Sequence, residues 1–179
     1  MRVSRTVLLA LLLLLSGCAA TTAERLALPE LRTVPRVELQ RYLGTWYEIA
    51  SYPQSFQKGC TGTTATYSLR EDGLVRVENR CFKPDLDGEL DTSEGRARVV
   101  DEKTIAKLEV SFFGPFWGDY WIIDLGKDYE YAVVGHPSRD YLWILSRTPK
   151  MDESLYRDLV RRAEAQGYDE RRLRRTKQR

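Results

Sequence analysis

Histidine is almost missing from this sequence, and its scarcity closes off a class of chemistry. The single histidine, His136, stands beside Pro137 with no second His or Cys at ligand spacing. Metal sites and acid–base dyads are built from such groups held close together. His136 therefore reads as a solvent-exposed loop residue, and no metal, no cofactor and no catalytic residue is expected. Long apolar runs are also missing: the one at residues 7–15 is too short to span a bilayer permanently. Internal repeats and low-complexity segments are absent. Charge of one sign is not in excess, with 28 basic and 26 acidic residues.

What is present begins with Arg2 and Arg5, the apolar run, and then Leu15-Ser16-Gly17-Cys18. A charged start, a short apolar stretch and small residues make an export signal. A cleavage point followed by Cys resembles the bacterial lipobox, which implies that residues 1–17 are removed and that Cys18 carries lipid. Two acylations there give stable rather than reversible membrane attachment. Ala19, rather than Asp, follows Cys18, and the resemblance then implies sorting to the outer membrane. Loss of Arg2 and Arg5 leaves 26 basic against 26 acidic residues, a balance that argues against nucleic acid as a partner. Residues 18–36 mix small, polar and proline residues without periodicity and read as a tether. The domain is expected over residues 37–179.

Residues 44–148 read as short strands between turn signals: 45–51, 61–70, 74–81, 95–100, 104–113, 119–125, 129–135 and 141–147. Asp72-Gly73 between two β-rich runs is a strong hairpin signal. In 74–81, Arg76, Glu78 and Arg80 share one face and Val75, Val77, Asn79 and Cys81 the other. In 104–112, Lys107 and Glu109 oppose Ala106, Leu108, Val110 and Phe112. A sheet with one apolar face needs cover, and no run of helices is available to supply it. Closing the sheet on itself solves the problem, and eight strands leave room for one small ligand. The expected fold is all-β: an eight-stranded antiparallel up-and-down barrel with a C-terminal α-helix packed outside. Asp152 caps that helix, which runs over 153–166 and stops at Gly167. Its apolar stripe is Leu155, Tyr156, Leu159, Val160 and Ala163.

Gly44-Thr45-Trp46 resembles the lipocalin G-x-W motif. Lys127-Asp128-Tyr129 is similar to that family's T-D-Y motif, with Lys in place of Thr, and Arg147 matches its third motif. Longer stretches at 44–50, 58–69, 110–116 and 140–149 resemble the bacterial lipocalins and, more distantly, apolipoprotein D. The resemblance covers residue 37 to about 167 and lapses in the Arg-rich tail, 168–179, where relatives carry a short extra strand. That tail reads as a solvated, disordered end, with anionic headgroups as its alternative contact. In the up-and-down order Gly44, Trp46, Asp128, Tyr129 and Arg147 fall at one closed end, where Arg147 stacks on Trp46. They are structural residues that plug the barrel.

The opposite end is the mouth. Its loops include Phe113, Phe116 and Trp117, which either meet ligand or membrane or fold inward as core. Inward parity nominates Ala65, Tyr67, Val75, Val77, Asn79, Leu108, Val110, Phe112 and Trp143 as ligand-binding residues. Cys60 and Cys81 lie at the mouth side of the Asp-Gly hairpin, close to register, and in an oxidising compartment a structural disulfide is expected. The alternative is a free Cys60 thiol acting as a nucleophile, as in lipocalins that isomerise prostaglandins. The resemblance implies a lipid-binding protein rather than an enzyme. It further implies storage or transport of fatty acids or lysophospholipids at the periplasmic face of the outer membrane, with anchoring through Cys18. A homodimer is compatible with it, and a purely structural envelope lipoprotein is the remaining reading. Cys18→Ser should release the protein from outer-membrane fractions as soluble or unprocessed material. Wild-type protein found free in the periplasm would sink the anchoring reading.

Overall fold

A computed structural model describes residues 28–179. The expected export signal (1–17), Cys18 and the first part of the tether lie outside the described residues. The elements are α1 (Leu39–Tyr42), β1 (Gly44–Ser51), β2 (Thr61–Leu69), β3 (Val75–Lys83), β4 (Glu89–Val99) and β5 (Lys107–Ser111). They continue as β6 (Gly118–Leu125), β7 (Tyr131–Gly135), β8 (Leu142–Ser146), α2 (Glu153–Glu164) and β9 (Arg174–Arg175). Each strand from β2 to β7 pairs with the next, and β1 pairs with both β8 and β2, so eight antiparallel strands close into a barrel. Alternation does what it promised on β3: Val75, Val77 and Cys81 are buried while Arg76 and Arg80 are exposed.

Three strand boundaries differ from expectation, each for a physical reason. β4 starts at Glu89 rather than 95, because residues 89–94 are exposed and show no apolar alternation. Its ladder with β3 nonetheless runs from Val75↔Ala97 to Lys83↔Glu89, laced outside by Arg76–Glu94 at 2.7 Å. β5 is shorter than 104–113, since Ile105 takes φ 59° in a turn. Tyr129 also stands at positive φ (61°), so β7 begins at Tyr131. Upstream, the folded unit begins at Leu31. Leu31 is buried, and the Val34 amide donates to Ile122 O (3.0 Å), so the last residues of the expected tether are part of the barrel.

Two apolar layers result. One fills the barrel interior from Trp46, Tyr67, Val77, Leu108, Ile122 and Leu145. The other lies outside, where Leu159, Val160 and Ala163 of α2 pack on Ile49, Val133 and Ile144. The Asp152 carboxylate accepts from the amides of Ser154 and Leu155, satisfying two of the free donors of the first turn. α2 ends at Glu164, two residues before expectation, and Gly167 at φ 92° turns the chain away.

The tail beyond α2 is ordered structure, contrary to the disordered end its arginines suggested. β9 pairs with β1 (Ala50↔Arg175, Ser51↔Arg174). β1 and β2 pair only over Gly44–Tyr47; above that they splay, and the tail fills the seam. The Thr176 amide donates to Ile49 O and that of Gly62 to Lys177 O. Gln178 Nε2 bridges Glu48 O and Thr63 O at 2.7 and 3.0 Å. These bonds use backbone groups, which side-chain composition does not report.

The closed end is organised by Arg147. Its guanidinium lies 3.8 Å from the Trp46 ring centre. Nη1 donates to Thr45 O, Nη2 to Arg41 O and Tyr42 O, and Nε to Tyr129 O, at 2.7–3.3 Å. Gly44 sits at φ 92°, and a Cβ there would come within 3.4 Å of Nη1, so a glycine suits both the backbone and the close approach. Asp128 is exposed beside Lys127 (4.0 Å) and supplies only a turn. Cys60 and Cys81 form a disulfide (Cα–Cα 5.3 Å) that ties the loop before β2 to β3.

Trp46→Ala should destabilise by about 3–5 kcal/mol, as truncation of a fully buried aromatic does. Arg147→Lys should lose about 1–3 kcal/mol, because an ammonium cannot serve four carbonyls and a ring face together. Urea unfolding of both variants measures this, and an unchanged midpoint for either would contradict the plug. Once Cys18 is removed, denatured protein should show no titratable thiol. Reducing Cys60–Cys81, a loop of 21 residues, should cost roughly 3 kcal/mol.

Candidate functional site

The nominated residues converge on the barrel interior. Tyr67, Val75, Val77 and Leu108 are buried there, with Ala65, Val110, Phe112 and Trp143 packed against them. Asn79 pairs with Ala65 on the same inner face. Ala65, Asn79, Val110, Phe112 and Trp143 point inward yet are only half-buried. Inward side chains that keep solvent contact mark the part of the interior open to the mouth. Gly95 makes room there for Phe112, whose ring a Cβ would approach to 2.8 Å.

The floor is different in kind. Tyr42 and Tyr67 hydroxyls each lie 2.8 Å from the hydroxyl of Tyr120. The void they share with Leu39, Val77 and Leu108 measures about 10 Å³, the scale of a single water. Burial pushes the Tyr67 phenol up to about 12. It raises Tyr42 and Tyr120 well above the ordinary tyrosine value too, so all three stay protonated at neutral pH. The positions are far apart in the chain, and only Tyr67 is among the residues expected to bind ligand. Tyr120 alternates with Ile122 on β6, which was the available signal.

Near the mouth the wall becomes polar. Glu48, paired with Leu145, points inward and is 5% exposed. Its carboxylate accepts from Ser51 Oγ (3.0 Å), Gln57 Nε2 (2.9 Å) and Thr176 Oγ1. Gln57 Oε1 in turn accepts from Trp143 Nε1 (3.1 Å). No Lys or Arg pairs with Glu48 among the described residues. Its inward parity, two residues after Trp46, is legible in the sequence.

The rim carries exposed aromatics. Phe113 and Phe116 on the β5–β6 loop are 79% and 76% exposed, and Phe56 on the β1–β2 loop 61%. The two readings of that segment are thus divided among its residues. Phe112 turns into the barrel, Phe113 and Phe116 face outward, and Trp117 lies under Arg98 at 4.3 Å and Arg96 at 5.3 Å. His136 is not the freely exposed residue expected: its Nδ1 meets Ser138 Oγ (2.9 Å) and its ring packs on Tyr141. Cys60 is held in the disulfide, so the thiol alternative has no nucleophile here.

Comparison with known proteins agrees with this geometry. A lipocalin-like domain model matches residues 37–178. The chain is 43% identical over 156 residues to the outer membrane lipoprotein Blc of Escherichia coli K12, covering 87% of this chain and 85% of that one. It is 42% identical to temperature-induced lipocalin-1 of Arabidopsis thaliana, over 83% of each chain. Apolipoprotein D of Rattus norvegicus is 42% identical over 121 residues, covering 63% of this chain and 61% of that one. Among solved structures, insecticyanin of the tobacco hornworm Manduca sexta superposes with a TM-score of 0.65 at 20% identity, covering 83% of this chain and 85% of that one. Lipocalins are generally binding proteins for small hydrophobic molecules, and this chain belongs to the lipocalin family.

Proposed function

We propose that the protein is an anchored carrier of single-chain lipids, fatty acids or lysophospholipids, at the periplasmic face of the outer membrane. The observation that carries this reading is the set of inward, half-buried side chains Ala65, Asn79, Val110, Phe112 and Trp143 above a buried apolar layer. The lining residues are Ala65, Tyr67, Val75, Val77, Asn79, Leu108, Val110, Phe112 and Trp143. An acyl chain fits such a wall, with its head left at the polar mouth. The location follows from Cys18 and is supported by the name that the Escherichia coli relative carries.

Two features refine the ligand and its source. Glu48 repels a bare carboxylate and attracts an ammonium, which favours a zwitterionic lysophospholipid over a free fatty acid. Phe113 and Phe116, exposed on a short loop, bury apolar area when pressed into a bilayer interface. They hold the mouth against the membrane from which the lipid comes. The packed floor favours a second reading, a structural lipoprotein whose barrel takes no ligand.

Burying ten methylenes contributes about 8 kcal/mol gross at 0.8 each. After ordering costs, this leaves a dissociation constant on the order of micromolar. Titration with lipids of increasing chain length, followed by Trp143 fluorescence, should show affinity rising and then levelling off. Val110→Arg should abolish binding in a folded barrel. No saturable change with any chain would reject the carrier and leave the structural reading.

A further inference from the structure

The hydroxyls of the floor can be counted. Tyr42, Tyr67 and Tyr120 carry three hydrogens, and their mutual contacts, Tyr42–Tyr120 and Tyr67–Tyr120, use two. However the three are oriented, one O–H is left to donate. The groups around the shared void are otherwise apolar, Leu39, Leu43, Val75, Val77 and Leu108 among them. Val110, which lines the void, is itself half-buried and shares its face of β5 with Phe112 toward the mouth, so the void lies at the foot of the apolar wall.

We infer that this floor is a subsite for one uncharged oxygen at the buried end of a bound lipid, a hydroxyl or carbonyl. The inference rests on the carrier reading above. An oxygen there accepts the remaining phenol hydrogen, and a hydroxyl also donates back to a phenol oxygen. A carboxylate does not fit, because no cationic side chain lines the void and a buried charge needs a partner. The tyrosines stay protonated throughout the neutral range, so the donor does not titrate away. A water molecule offers the same oxygen, and the test must separate the two sources.

The experiment compares saturated fatty acids with their ω-hydroxy counterparts over a series of chain lengths, in wild type and in Tyr42→Phe/Tyr67→Phe/Tyr120→Phe. The ω-hydroxy chain should bind about three- to tenfold more tightly, and only at the length that reaches the floor. The triple variant removes all three hydroxyls together and so orphans none. It should bind the plain and the ω-hydroxy chain equally, whatever its affinity for the plain chain. Should that variant not fold, ring-labelled tyrosine in wild type gives a second readout: the Tyr120 resonance should move with the ω-hydroxy chain and not with the plain one. Equal binding of the two chains in wild type at every length means a floor that serves water alone, and overturns the subsite while leaving the carrier standing. A preference that persists in a folded triple variant overturns it as well. Failure of every chain to bind overturns both.

Discussion

The Arg147 guanidinium is asked to do two incompatible-looking things: lie flat on an indole and satisfy four backbone carbonyls from three segments of the chain. It does both because a planar cation offers a face and an edge at once. The carbonyls belong to Arg41, Tyr42, Thr45 and Tyr129. The end of α1, the start of β1 and the turn before β7 are therefore held against the end of β8. With that end fixed, β1 must run between β8 and β2, and the sheet closes. Trp46 completes the arrangement by donating its own N–H to Tyr42 O (2.8 Å).

Above this plug the interior is graded. The floor holds neutral hydroxyls among aliphatic side chains, the middle is aliphatic and aromatic, and the wall below the rim holds Glu48 with its amide and hydroxyl donors. Each polar group along it meets hydrogen-bond partners, the phenols one another and Glu48 the side chains of Ser51, Gln57 and Thr176, which offsets its desolvation. A single-chain lipid has the same order of polarity along its length.

Much of this was legible in the sequence wherever one strand face met water and the other met core. β3 and β5 announced themselves by alternation, and the parity of Trp143 followed from Arg147 on the same strand. Three parts were not legible. The first half of β4 is exposed and is held by ladder bonds and cross-strand ion pairs, so hydrophobic pattern had nothing to register. The tyrosine floor joins residues 42, 67 and 120, which no local window contains. The tail's place in the wall is hidden in the sequence because arginine suggests solvent. Here the long side chains lie along the surface, with Arg175 over the Tyr156 ring at 3.3 Å and Arg179 over Phe82 at 4.4 Å, while the backbone joins the wall.

That last feature bears on the order in which the molecule is assembled. Thr176 meets Glu48 across 128 residues, and Gln178 meets Thr63 across 115. Contacts of such separation form late, after the entropy of closing the intervening chain has been met. As the chain emerges from its N-terminus, β1 through β8 can assemble with the upper edges of β1 and β2 unsealed. Unpaired strand edges invite pairing with other chains. Residues 174–178 are the ones that remove this hazard, and sealing of the barrel's upper edge depends on them rather than on its core.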